Sequence, residues 1–481
     1  MLLRPERLWS GRMAEPMPGA PLWTAREIAA ATGGVLMGSA FAARGVATDS
    51  RELEVGDLFV ALNAARDGHD FVDQALARGA AGALVSTASA QPSILVADTL
   101  EALARLGAAA RERADGARRG AVTGSVGKTS VTQAVLSGLT LAGNAHGSVK
   151  SFNNHIGVPL TLARMPATTR RAVFEIGMNH AGEIEPLSRL VRPHAVAITN
   201  IEAVHVENFA DGEAGVARAK VEILAGLAPG GVAILNGDNR WFDYLSGKAR
   251  AAGANVHVFG RGGACAARLI DFKPTSHGAQ IDAEVEGRAL SFPIRQIARH
   301  WGPMSLAALL MMRALDVELE IALAALAAFE PLAGRGAERA IAVGGGVFTL
   351  IDESYNASPV SLASALRSLG ARATDGQKIA VLTDMLELGA DSADRHAELA
   401  PVIAEAGIDL LFCAGPLMKT LYDAIDPDRR GAWAPDADGL IPGLAAAIGP
   451  GDAVMVKGSK ASRASEIAAA LARGFPPEEV R

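Results

Sequence analysis

The chain has 481 residues, with 46 Lys+Arg against 52 Asp+Glu, a formal net charge of −6. Hydrophobic residues make up 49% and charged residues 20%. That balance excludes a disordered chain and, at about 150 residues per domain, predicts roughly three domains. The mild acidity argues against a nucleic-acid partner, and the sequence holds no run of about 18 apolar residues to form a membrane span. Cys265 and Cys413 lack metal-ligand spacing and cannot build a disulfide framework, so a reducing, cytoplasmic setting is expected.

Residues 1–21 are Arg/Pro-rich without an apolar signal segment, which predicts a disordered extension and no secretory signal, with Met13 and Met17 as alternative starts. Residues 22–112 alternate short apolar runs with helical stretches at 24–32 and 71–78, the pattern of a small α/β domain. An Arg-dotted connector helix is expected over 102–119. Across 113–332, strands at 121–123, 171–176, 195–199, 232–235 and 256–259 alternate with helices, predicting a doubly wound parallel sheet. A β-rich insert to about 294 and a helical pair up to 329 follow. In that pair Arg313, Asp316, Glu318 and Glu320 recur at helical spacing, which predicts buried amphipathic helices. Residues 333–481 resume the alternation: strands near 348–351, 379–382, 410–413 and 453–456, and helices at 359–369, 392–405 and 461–470. They read as a C-terminal Rossmann-like α/β domain.

The strongest local signal is Gly124-Ser125-Val126-Gly127-Lys128-Thr129-Ser130, between a strand and a helix. Glycines let backbone N–H groups approach phosphates, and the helix N-terminus adds positive potential. Lys128 would reach the terminal phosphates of ATP and the Thr129 hydroxyl would hold Mg²⁺. Val122 stands where the strict P-loop has Gly, so this is a shorter variant. Glu175 falls at a strand's carboxyl end, where a carboxylate suits Mg²⁺ beside phosphates; a helix cap is the plainer alternative. His205 follows a third strand end, where it could join Glu175, although a lone His is more often structural or on the surface; Lys220 sits on a helix and, taken alone, reads as a solvated lysine pairing with a neighbouring Glu. Asn236, in a turn after the 232–235 strand, is a plausible nucleotide contact. The 151–159 stretch, with Asn153 and Asn154, is expected to be non-helical, its amides facing phosphate or sugar oxygens or forming Asx turns. Three polar loops, 352–359, 383–389 and 457–463, fall on one carboxyl edge of the last sheet and suggest a ligand cleft.

Taken together, these residues resemble a Mur ligase of peptidoglycan synthesis over about 22–463, in the dipeptide-adding branch. Asp352-Glu-Ser-Tyr-Asn-Ala-Ser-Pro359 is similar to that branch's Asp-x-x-Tyr-Asn-Ala-x-Pro, and Asp384-Met-Leu-Glu-Leu-Gly389 matches as well; the Asp-Asn-Pro-Arg motif of the diaminopimelate-adding relative is absent. Asp49-Ser50-Arg51 and Asp67-Gly-His69 are similar to the family's UDP-sugar-binding domain.

The resemblance implies an ATP-dependent amide ligase, its partners UDP-N-acetylmuramoyl-tripeptide and D-alanyl-D-alanine, working as a monomer. It implies metal ligation by Thr129, Glu175, His205 and a carbamylated Lys220, with nucleotide contacts from Arg335, Asp352 and Asn356. It places Asp384, Glu387, Lys457 and Ser459 toward the dipeptide, and Asp49, Ser50, Arg51, Asp67, His69, Asn153 and Asn154 toward the UDP substrate. Two departures stand out: His300-Trp301-Gly302-Pro303-Met304 replaces the family's His-Asn-x-x-Asn, which removes the usual adenine contact there, and Thr383 replaces a Gly. Another amide ligase with the same ATP core, a P-loop switch ATPase and a degenerate binding module are the rival readings.

Overall fold

The computed structural model describes residues 20–474, with 65, 89, 150, 205 and 276 outside the described set. The extension expected at 1–21 therefore falls almost wholly outside it. Three sheets carry the architecture. The first has five strands in the order Val35–Met37, Ser93–Leu95, Gly82–Val85, Asp57–Val60 and Gly45–Ala47, the last four parallel. Helix Ala25–Thr32 starts on a capping box in which Thr24 and Glu27 satisfy each other's backbone N–H groups.

The connector helix runs over Thr99–Arg113, shorter than expected at its C-terminal end. The chain turns at 114–116 and is already in a strand at Arg118. Arg119, expected to end the connector helix, is buried in a strand, and its guanidinium donates to the carbonyls of Ala117 at 2.9 Å and Val191 at 3.0 Å. The arginine run misled because an Arg that satisfies carbonyls can sit inside.

The central sheet has nine strands, in the order Arg288–Ile294, Gly278–Val285, Ala267–Thr275, Asn255–Gly260, Val232–Asn236, Ala195–Ile198, Arg118–Thr123, Arg171–Glu175 and Ala145–Gly147. The β-rich segment continues this sheet: Ala267–Thr275 pairs parallel to Asn255–Gly260, and the next two strands turn antiparallel. Arg118–Thr123 lies between Arg171–Glu175 and Ala195–Ile198, so the chain leaves it toward one side and later crosses to the other. Ligands of open α/β sheets bind at such a reversal, outside the carboxyl ends.

Helix Trp301–Ala314 is not amphipathic. Every residue from Met304 to Met312 is buried; of the charges that looked periodic, Arg313 marks its end, Asp316 and Glu318 the turn, and Glu320 the first turn of helix Leu319–Ala328, which buries one side through Leu319, Ala322, Ala325 and Leu326. The helix packs on the P-loop side of the sheet through methionines seated on glycines: a Cβ at Gly120, Gly127 or Gly138 would lie 2.8, 2.9 or 2.0 Å from the sulfur of Met311, Met304 or Met312. Thioethers fill such irregular gaps well.

The last sheet has six strands in the order Ala337–Val343, Gly346–Glu353, Ala453–Lys457, Lys378–Thr383, Leu410–Ala414 and Arg430–Ala434, all parallel except the first. The helix expected at 392–405 is two, Ser392–Ala397 and Ala400–Glu405. Pro401 lacks the N–H that a continuous helix would need. Helix Gly157–Ala163 begins inside the stretch expected to be non-helical. Among the described residues no helix is long and apolar enough to cross a membrane.

Candidate active site

The P-loop is held from the neighbouring strand end. Gly124, at φ 149°, passes so close to Thr199 that a Cβ would sit 1.9 Å from its hydroxyl oxygen. Ser125 N–H donates to the Asn200 carbonyl at 2.8 Å, and Thr199 Oγ1 donates to the Val126 carbonyl at 2.5 Å. Gly127, at φ 88°, opens helix Lys128–Leu141 with no side chain on its first N–H groups, which leaves them for an anion. Lys128 Nζ folds back onto the Gly124 carbonyl at 2.7 Å and the Ser125 carbonyl at 3.3 Å. Burial lowers its pKa, and the Glu175 charge opposes that shift. Ser130 is buried in the first turn behind Thr129.

Glu175 ends its strand 1% exposed. Its Oε1 accepts from Asn153 Nδ2 at 2.7 Å, while Oε2 is buried with no partner. A buried carboxylate oxygen without a partner is costly unless a cation or donor arrives. Lys220, on helix Glu213–Val221, is 2% exposed. Burial holds its pKa well below the usual lysine range, and the Lys128 charge pushes the same way. A neutral amine is the form that adds CO₂. His205, the remaining member of the expected metal set, lies outside the described residues. Among the described residues no three His, Cys, Asp or Glu side chains converge as a ready metal cluster. The expected set draws instead on a hydroxyl and a modified amine, and the unpartnered Glu175 oxygen fits a Mg²⁺ ion.

The last domain closes onto this edge. Arg335 Nη2 donates to Thr129 Oγ1 at 3.0 Å, and its guanidinium carbon lies 3.8 Å from the centre of the Tyr355 ring. The Tyr355 hydroxyl is hydrogen-bonded to Ser151 Oγ, which lies 3.4 Å from Thr129 Oγ1. The Asp352 carboxylate accepts from Gly334 N–H at 3.0 Å and from the Ser354 hydroxyl, which fixes the turn that carries Arg335. Asn356 offers its carbonyl to Lys457 Nζ at 3.0 Å, and Lys457 also pairs with Glu353 at 3.4 Å.

Some expected contacts are spent inside the fold. Asn236 donates to the Thr199 carbonyl at 3.2 Å. Asn154 Oδ1 accepts from Gly157 N–H at 2.9 Å and caps the helix start. The Asp384 carboxylate accepts from Met418 N–H at 2.8 Å. Ser459 accepts from Leu386 N–H at 2.9 Å through its hydroxyl. Glu387 stands in the left-handed region at φ 63°. Thr383 is accommodated because position 458 is Gly, where a Cβ would lie 1.7 Å from its hydroxyl.

In the first domain Arg51 forks onto Asp49 at 2.6 and 3.0 Å, and that hydrogen bonding pulls the Asp49 carboxyl down to about 2. Ser50 is buried between them. Asp67 accepts from His69 Nδ1 at 2.6 Å, and His69 Nε2 accepts from Ser86 N–H at 2.9 Å.

Sequence reasoning assigned no role to Tyr355, Ser151 or Glu202. Ser125 Oγ and the Glu202 backbone bond each other at 3.0 and 3.1 Å, while Glu202 Oε2 is buried without a partner. Burial, with Glu213 adding repulsion, pushes the Glu202 carboxyl up to about 7. Tyr355 lies inside the 352–359 motif, and nothing in the sequence pattern shows that its ring stacks on Arg335.

The Mur ligase middle domain family matches residues 122–312, and the Mur ligase, glutamate ligase domain family matches residues 338–460. The chain is 30% identical over 451 residues to UDP-N-acetylmuramoyl-tripeptide–D-alanyl-D-alanine ligase of Rickettsia prowazekii, covering 93% of this chain and 99% of that protein. It is 34% identical over 444 residues to the enzyme of the same name from Escherichia coli, covering 91% and 96%. The crystal structure of MurF from Acinetobacter baumannii superposes with a TM-score of 0.82 at 28% identity, over 94% of this chain and 99% of that one.

Proposed function

The chain belongs to the Mur ligase family, and on that premise we propose that it joins D-alanyl-D-alanine to UDP-N-acetylmuramoyl-tripeptide, converting ATP to ADP and phosphate. The observation that carries the chemistry is one edge of the central sheet. There an uncapped P-loop helix meets a buried carboxylate with an unpartnered oxygen and a buried lysine whose pKa burial lowers. The similarity of whole chains to two ligases of that name carries the choice of substrates.

The reaction has two steps. The tripeptide's terminal carboxylate attacks the γ-phosphoryl group, giving an acyl phosphate and ADP. The dipeptide amine then attacks the acyl carbon, and phosphate leaves. Two anions meet in the first step, so stabilising charge is the main demand. Lys128 gives up its loop carbonyls for the phosphates, and the free N–H groups after Gly127 cradle them. Thr129, Glu175, His205 and carbamylated Lys220 are the residues that would hold Mg²⁺, which supplies charge neutralisation. Arg335 and Tyr355 bring the last domain over the phosphate loop, which excludes water from the acyl phosphate. Asp49–Arg51 and Asp67–His69 hold the UDP moiety, and the 384–387 and 457–459 loops receive the dipeptide. The domains divide near residues 112 and 332. The chain works as a cytoplasmic monomer.

The carbamate is tested by Lys220→Ala. Ligation falls at least 100-fold, and short carboxylic acids such as acetate restore part of it by filling the space of the lost carbamate. A variant as active as wild type overturns the assignment.

A further inference from the structure

His396 is used by none of the chemistry above, yet it is fully buried. It sits on helix Ser392–Ala397, directly after the loop that receives the dipeptide. Its Nδ1 lies 2.6 Å from the Ser392 carbonyl, which can only accept, so Nδ1 carries the proton. Nε2 is then an acceptor, and it takes the Met385 N–H at 2.9 Å. One tautomer satisfies both ring nitrogens. Burial favours this neutral form, lowering the ring's pKa. A protonated ring would set a second N–H against that of Met385.

The neighbours of Met385 are tied to other elements. Leu386 N–H donates to Ser459 Oγ, and the Asp384 carboxylate holds the N-terminus of helix Met418–Ala424. Three consecutive residues are therefore anchored on three separate pieces of the domain, just before Glu387 turns into the left-handed region. Removing the imidazole leaves a buried N–H without an acceptor, and the loop can satisfy it only by moving.

We propose that His396 is the positioning residue of the amine-substrate loop: its Nε2 fixes the Met385 backbone, and through it the shape that receives the dipeptide. This rests on the ligase reading for the identity of that substrate.

The test compares wild type with His396→Ala and His396→Gln, whose amide oxygen can still take the Met385 N–H. Two readouts are taken: hydrogen exchange of the 384–389 backbone without substrates, and KM for D-alanyl-D-alanine beside KM for ATP and kcat. The Ala variant is expected to exchange faster in this loop and to raise KM for the dipeptide roughly tenfold. KM for ATP stays within about twofold, and Gln recovers most of both effects. Unchanged exchange and unchanged dipeptide KM overturn the proposal, as does an equal rise in both KM values, which marks a general loss of structure. If the Ala variant does not fold, Gln decides: near-wild-type exchange and dipeptide KM support the latch, and a Gln variant that exchanges fast contradicts it. If wild type makes no product with the dipeptide, the ligase reading fails, and the exchange experiment still judges the latch.

Discussion

Glu202 shows how one buried group ties the phosphate loop to pH. Its backbone is bonded to Ser125, and its carboxyl is pushed up to about 7 by burial first and by Glu213 second. Below about pH 4.5 the group is protonated in folded and unfolded chains alike, so it adds no pH dependence. Between there and pH 7 the unfolded chain loses its proton while the folded chain keeps it, and stability falls as pH rises. Glu202→Gln removes that penalty: its melting temperature should exceed that of wild type at pH 8 and match it at pH 4.5. Equal melting temperatures at pH 8 would contradict the burial argument. Lys220 has the opposite charge and the same cause. Burial, with the Lys128 charge second, lowers its pKa, a shift that favours the uncharged amine a carbamate would need and that an arginine, which stays charged, could not provide.

Elements explain what could be read in advance. The strand ends carrying Gly124, Glu175 and Asn200 were legible because short apolar runs followed by polar turns are the pattern of buried parallel strands. The edge strands Ala337–Val343 and Arg430–Ala434 were not. Most of their residues are half-buried or exposed, with Arg339 inside the first and Arg430 opening the second, so neither period stands out. Helix Trp301–Ala314 was located but misjudged in character, because nothing in the local pattern told that Gly120, Gly127 and Gly138 would make room for three methionines. The site split the same way. Residue types at strand ends were visible, whereas Arg335 reaching Thr129 across about 200 positions of chain was not: the resemblance placed Arg335 near the nucleotide and no further. Gly127→Ala tests the helix–loop contact: it places a Cβ 2.9 Å from the Met304 sulfur at a φ of 88°. It should cost about 1–3 kcal/mol of stability and abolish nucleotide binding. Calorimetry showing wild-type stability and affinity would refute the close packing.

Across the whole molecule, the sheets are arranged so that the central and last domains meet at the phosphate loop. Arg335 and Tyr355 make that junction with Thr129 and Ser151. A charge-assisted hydrogen bond contributes about 1.5–3 kcal/mol. Arg335→Ala should therefore lower kcat/KM for ATP roughly 10- to 100-fold, while Tyr355→Phe, which keeps the ring beneath the guanidinium, loses far less. Equal losses in both would mean that the hydroxyl, and not the stack, aims Arg335. Through this junction ATP cleavage is coupled to amide formation on the ligase reading. The decisive measurement is phosphate release by the purified protein, with UDP-N-acetylmuramoyl-tripeptide and D-alanyl-D-alanine supplied singly and together. One phosphate should appear per amide bond formed, and only when both peptides are present. Equal release from ATP without them would contradict it and make the protein a P-loop ATPase.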